Sequence, residues 1–172
     1  MRATLAAAVL AVAVTGAAHS QPATPRSQLG TVSQQVAAAR IDIRYRRPVA
    51  RGRALFGALV PWGRIWTPSA DSAAKLTVSA PVTVNGTPLP AGSYALWAIP
   101  DSSSWTVIFS SRADVFHLRY PDGQDVLRVR ATPVQGDHVE SLLFAFPMVD
   151  ADSATLHIRW GTTIVPLTIR VP

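Results

Sequence analysis

The 172-residue chain has no cysteine and a single lysine, Lys75. Without thiols there is no disulfide framework, no cysteine nucleophile and no lipid attachment at a processed N-terminal cysteine, so packing alone must stabilise the fold. The sequence also lacks a Gly-x-Ser-x-Gly elbow, a His-x-His or His-Glu-x-x-His spacing and a glycine-rich phosphate cradle. Beyond Ala18 there is no apolar run long enough to span a bilayer. Acids are few: 10 Asp and Glu stand against 15 arginines and the lysine, for a formal charge of +6. Six of those arginines (Arg40, Arg44, Arg46, Arg47, Arg51 and Arg53) crowd into fourteen residues with one acid, Asp42. A patch of that sign attracts lipid headgroups, acidic glycans or nucleic acid through counterion release.

What is present begins with an export signal. Met1-Arg2 is followed by an uncharged, alanine-rich run from Ala3 to Ala18, the charged start and short apolar middle of a secretory signal peptide. Cleavage after Ser20 is expected, with Gly16 and Ala18 offering a competing site. The remaining 152 residues, charge +5 once Arg2 is gone, make one ordinary domain. The expected location is the bacterial periplasm or the exterior, with no integral membrane segment after signal removal and no nucleic-acid partner. Residues 1–20 are therefore read as signal, 21–31 (QPATPRSQLGT from Gln21) as a polar flexible leader, and 32–172 as the domain.

Period-two patterning dominates that domain. Ile41, Ile43 and Tyr45 alternate with Asp42, Arg44 and Arg46, and Leu76 and Val78 with Thr77 and Ser79. Asn85-Gly86 predicts a tight hairpin, because both residues tolerate positive φ. Further strands are expected in SYALWAIP, WTVIF, DVLRVRATP, VESLLFAF, ATLHIRW and TIVPLTIRV, each five to nine residues long. Only Leu55–Leu59 and Arg112–Leu118 are suited to a helical turn or two. The expected fold is all-β, an antiparallel two-sheet β-sandwich, jelly-roll-like, with one long ordered loop.

That loop, Tyr45–Asp71, holds five arginines, three prolines, three glycines and two tryptophans, too many breakers for a helix and too irregular for a ladder. Arginine offers a planar fork of donors and tryptophan a flat apolar face, the pairing that anion or sugar recognition uses. One reading sets Arg47, Arg51, Arg53 and Arg64 around an anionic or hydroxyl-rich ligand, with Trp62 or Trp66 as a stacking platform and Asp71 at the rim. The other has Phe56 and Trp66 plugging the open end of the sandwich while the arginines bond loop carbonyls and Asp42 or Asp71. Both stay open on sequence grounds.

The residues Tyr45-Arg46-Arg47-Pro48, Arg51-Gly52-Arg53, Leu55-Phe56-Gly57, Leu59-Val60-Pro61-Trp62-Gly63 and Trp66-Thr67-Pro68-Ser69-Ala70-Asp71 follow in order. So do Leu89-Pro90-Ala91-Gly92-Ser93-Tyr94, Trp105-Thr106-Val107-Ile108-Phe109 and Asp125-Val126-Leu127-Arg128-Val129. This succession resembles the bacterial domain of unknown function 2911 family over nearly the whole expected mature chain. The resemblance implies export and fold, and no activity. The chain departs from the family's Trp-Arg-Thr-Gly-Ala-Asn at the loop's end, where Thr67 replaces an arginine, Ser69 a glycine and Asp71 an asparagine.

Other chemistry is thinner. His138 and Glu140 lie two apart on an expected strand and face the same way; His117 and Asp122 lie near a turn, and His157 is expected at the surface. Three or four convergent ligands are needed for a divalent ion, so no metal and no cofactor is expected. Asp71 and Glu140 with a loop arginine would serve a hydrolase or isomerase. Trp97, Trp105 and Trp160 are expected to seal core edges with each indole N–H on a carbonyl. The leading expectation is a non-catalytic envelope module that recognises a small molecule, a glycan or an envelope protein through the loop. The alternatives are the Asp71/Glu140 enzyme and a structural envelope protein.

Overall fold

A computed structural model describes residues 26–172. Residues 1–20, read as signal, and residues 21–25 of the segment read as leader lie outside the described residues. Ten strands form: β1 (Gln28–Val36), β2 (Ala39–Arg47), β3 (Ala74–Val78), β4 (Val82–Val84), β5 (Thr87–Leu89), β6 (Gly92–Ile99), β7 (Trp105–Ser110), β8 (Asp125–Ala131), β9 (Val134–Val149) and β10 (Ser153–Arg170). Six pair in the order β1-β2-β3-β6-β7-β8 and four in the order β5-β4-β10-β9, every ladder antiparallel. The likeness to a jelly roll stops at the two-sheet architecture, because consecutive hairpins stay within one sheet and the chain changes sheet only after β3, β5 and β8.

One apolar core lies between the sheets, as the alternation requires. Ile41, Ile43 and Tyr45 of β2, Leu76 and Val78 of β3, and Val107 and Phe109 of β7 meet Leu142 and Phe144 of β9 and Leu156, Ile158 and Leu167 of β10. Tyr45 also stitches the layers directly. Its ring packs edge-on to Phe144 at 4.6 Å, and its hydroxyl accepts the Phe144 N–H at 3.2 Å. The Asn85-Gly86 hairpin forms with φ of 46° and 80°, as the dipeptide predicts. The Asn85 side chain then donates to the Arg130 carbonyl at 2.8 Å, fastening the β4–β5 hairpin to β8 of the other sheet.

Three expectations change. β1 begins at Gln28, inside the segment read as leader, because Gln28–Val36 pairs residue for residue with β2. Neither Leu55–Leu59 nor Arg112–Leu118 is helical: the first closes as a turn with Val60 N–H on the Leu55 carbonyl, and the second forms a bridge to Ser72. ATLHIRW and TIVPLTIRV are one 18-residue strand. They read as two because the buried positions switch from even (Leu156, Ile158, Trp160) to odd (Val165, Leu167, Ile169) across bulges flanking Gly161. Gly161 has φ of 60°, and a Cβ there would lie 2.9 Å from Leu55 Cδ1, so the bend also makes room for the loop.

The loop closes the end of the sandwich. Its first residues bridge to β9, with Ala50 N–H on the Glu140 carbonyl at 2.8 Å and Leu142 N–H on the Pro48 carbonyl at 2.9 Å. Trp66 then pairs with Ala98 of β6. Between these anchors, one on each sheet, Phe56 enters the gap. Its ring lies 4.8 Å from Trp105, 5.9 Å from Trp66 and 6.3 Å from Trp160, all edge-on, while Trp62 stacks outside it at 6.2 Å. Edge-to-face rings add about 1 kcal/mol per pair beyond the area they bury. Trp160 places its N–H on the Glu140 carbonyl, but Trp97 and Trp105 bury theirs with no partner among the described residues, contrary to the expectation that each finds a carbonyl. Ring packing outweighs the unmet bond there.

Phe56→Ala is expected to destabilise the protein by about 3 kcal/mol and to raise the exposure of Trp66 and Trp105. Urea denaturation followed by tryptophan fluorescence checks this; an unchanged midpoint would show that the plug does not hold the loop.

Candidate functional site

The arginines of the loop divide by what the backbone does around them. Ala50–Arg53 is a tight turn in which Arg53 N–H reaches the Ala50 carbonyl at 3.1 Å, with both central residues left-handed, Arg51 at φ of 52° and Gly52 at 69°. Glycine and asparagine suit such positions; a long side chain is strained there. The Glu140 carboxylate fixes the turn by accepting the Arg51 backbone N–H at 2.5 Å, and it also takes His138 Nε2 at 3.0 Å. Arg53 folds back on its own loop, donating to the Ala50 carbonyl at 2.8 Å and the Val49 carbonyl at 2.6 Å. The Arg51 guanidinium makes no hydrogen bond or ion pair among the described residues, and Glu140 senses it only through space.

Beside this turn is a cleft of about 420 Å³. Pro48, Val49, Leu59, Val60, Trp66 and Trp160 make its apolar wall; Arg26, Arg51 and Arg53 stand on it as cations; His117 and Leu118 close it from the segment between β7 and β8. Leu118 is 76% exposed at the edge of the cleft. A second hollow of about 350 Å³ lies on the other side of Arg53, with Trp62, His138, Trp160 and Gly161 among its walls. Trp62, 45% exposed, is seated flat against the loop because Gly57 has no Cβ: one there would fall 2.5 Å from the indole nitrogen.

The structure thus brings Arg51, Arg53 and Trp66 to one cleft and Arg53 and Trp62 to the next. Arg47 turns away: its stem covers Gly30 of β1, and its Nε reaches the Leu142 carbonyl at a long 3.4 Å. Arg64 is exposed and borders neither hollow, and the Asp71 side chain is outside both. Asp71 has φ of 63° and its carbonyl accepts the His117 N–H at 3.3 Å, so residue 71 serves the turn that carries His117 and Leu118 to the cleft. Asn and Asp both tolerate that conformation. Thr67 and Ser69 have similar duties: the Thr67 hydroxyl donates to the Leu96 carbonyl and accepts the Ala74 N–H, and Ser69 Oγ accepts the Arg46 N–H.

Outside the loop, Arg26, Ser27, His117, Leu118 and Trp160 are the cleft residues that sequence reasoning missed. The bridge between Ser72 and Phe116 carries His117 and Leu118 there, and such a contact leaves no trace in periodicity.

Residues 27–169 match the family described as protein of unknown function DUF2911. The chain belongs to that family. No curated protein and no solved structure matches it.

Glu140 is one of the two acids of the hydrolase or isomerase reading. The hydrogen bond from His138, and then that from the Arg51 backbone, hold the Glu140 carboxyl below its ordinary value. A general acid needs the opposite shift. His157 is half-buried, contrary to its expected surface position, and desolvation with Arg159 nearby lowers its pKa. Among the described residues no group of three or more His, Asp or Glu side chains is placed to hold a metal ion. No helix among them is long and apolar enough to cross a membrane.

A carboxylate whose folded pKa is depressed adds stability above its unfolded value, and that stability disappears as pH falls through the folded value. Glu140→Gln is therefore expected to lower stability at neutral pH and to narrow the gap from wild type in acid below about pH 4. Thermal melts across that range check it; a gap that widens in acid would contradict the assignment.

Proposed function

We propose that this DUF2911 protein is an exported, non-catalytic envelope module that binds an amphiphilic anion, an apolar body carrying a carboxylate, phosphate or sulfate, in the cleft beside the Ala50–Arg53 turn. The observation that carries this reading is Arg51. A long side chain occupies a left-handed position that glycine would fill without strain, at a penalty of about 1 kcal/mol, and its guanidinium makes no hydrogen bond or ion pair among the described residues. Strain retained without an internal return points outward, to a ligand that the guanidinium meets at the rim. The apolar wall behind it and the uncovered Leu118 suit the ligand's body. Periplasmic or secreted placement rests on the charged, alanine-rich N-terminus.

A catalytic reading through Asp71 and Glu140 has less support, since neither side chain borders the cleft and Glu140 is engaged in holding the turn. The structural reading accounts for Phe56, Trp66 and Trp105. It leaves Arg51 unexplained.

Arg51→Gly separates the two roles. Stability is expected to stay within about 1 kcal/mol of wild type or to rise, because glycine relieves the positive φ. Affinity for decanoate is expected to fall about tenfold, the order of one charge-assisted hydrogen bond, while any weak binding of decanol is unchanged. Leu118→Asp should weaken both. Titration calorimetry with the two probes measures this; no binding of decanoate by wild type, or equal binding by Arg51→Gly, would overturn the reading.

A further inference from the structure

A second set of cations lies on the outer face of the six-stranded sheet. β2 directs Arg44 and Arg46 outward and β3 directs Lys75 outward, and the strand register puts Arg44 directly opposite Lys75. Directly opposed residues on neighbouring strands have Cβ atoms about 5 Å apart, and like charges so placed repel. Arg46, two residues along β2, stands on the diagonal from Lys75. Neither the Arg44 nor the Arg46 side chain forms a hydrogen bond or ion pair among the described residues. Between the three cations opens a hollow of about 440 Å³, with Leu29 and Phe116, 45% and 50% exposed, as its apolar borders. Its one acid is Asp114, which meets Lys75 Nζ at 3.0 Å while itself 83% exposed. Ser72 and Ala73 line this hollow and Ser69 and Ala70 the loop cleft, so one strip of backbone separates the two.

We propose that Arg44, Arg46 and Lys75 form a site for a phosphate-type oxyanion, independent of the ligand of the loop cleft. Repulsion built into a strand register has to be offset, and Asp114 neutralises one cation of three. A carboxylate offers two oxygens and one charge. A tetrahedral phosphoryl group offers three or more oxygens and up to two charges, enough for two guanidinium forks and an ammonium at once. Asp114 competes with the anion for Lys75, so the site tightens when that carboxylate is removed.

Thermal melts of the purified protein in inorganic phosphate and in sodium chloride at matched ionic strength test the site, matching being needed because exposed cations are screened by any salt. Phosphate is expected to raise the midpoint by several degrees more than chloride. The gain should vanish in the double variant Arg44→Gln/Arg46→Gln, which folds because it loses repulsion and no internal bond, and should grow in Asp114→Asn. Arg51→Gly keeps the gain, which sets this site apart from the cleft. Co-sedimentation with phosphatidylglycerol vesicles, against phosphatidylcholine vesicles, distinguishes sources: capture that depends on Arg44 and Arg46 assigns a lipid headgroup, and a phosphate gain without capture assigns a soluble phosphoryl group. Equal effects of phosphate and chloride without capture, or a gain that survives in the double variant, overturns the proposal.

Discussion

Two packed sheets are open at their ends, and the end of this one nearest the loop is closed by Phe56. The ring gathers Trp105 of β7, Trp160 of β10 and Trp66 of the loop edge-on around itself. Everything functional that the loop offers depends on that insertion. With Phe56 seated, the backbone on one side of it is drawn along β9 and on the other along β6, and the Ala50–Arg53 turn is left projecting at the mouth. Close packing at this density allows the loop one position, which converts a proline- and glycine-rich stretch into a fixed rim. Gly161 and Gly57 are part of the same constraint, one admitting Leu55 beneath the loop and the other admitting Trp62 on top of it.

Two departures from the local rules that most strands obey bear on anion binding. Arg51 holds a left-handed backbone that its side chain opposes, and Arg44 faces Lys75 across neighbouring strands. Several other basic residues have internal partners: Arg40 pairs with Asp42, Arg128 with Asp125 and Tyr120, Arg170 with Asp152, and Arg53 with two carbonyls. A chain with ten acids and sixteen basic side chains cannot pair them all internally. Part of the surplus lies at two hollows divided by the Ser69–Ala73 strip, where the anion sites are proposed, while Arg64, Arg112 and Arg119 border neither.

Much of the fold was legible because burial on one face of a strand forces alternation. Ile41, Ile43 and Tyr45 turned inward and Arg44 and Arg46 outward, and Asn85-Gly86 made the turn its φ tolerance implies. His138 and Glu140 came together because residues two apart on a strand share a face. Legibility failed where alternation is interrupted. The bulged strand β10 looked like two because its inward phase changes at Gly161, and Arg112–Leu118 looked helical because it alternates with nothing. Trp97 and Trp105 broke a different expectation, burying donors unmet where ring packing was the stronger demand.

By itself the sequence determined a disulfide-free, all-β domain of antiparallel strands, and it placed the arginines and aromatic rings of the loop in one stretch. Those properties follow from residue type and spacing, which act over a few neighbouring positions. Which arginines face solvent beside an apolar wall, which turn back to carbonyls, and which ring enters the core were decided by tertiary structure alone. Arg51 and Arg53 differ by two positions and share a chemistry; only the contact of their turn with β9, some ninety residues away in the chain, leaves one guanidinium free and binds the other.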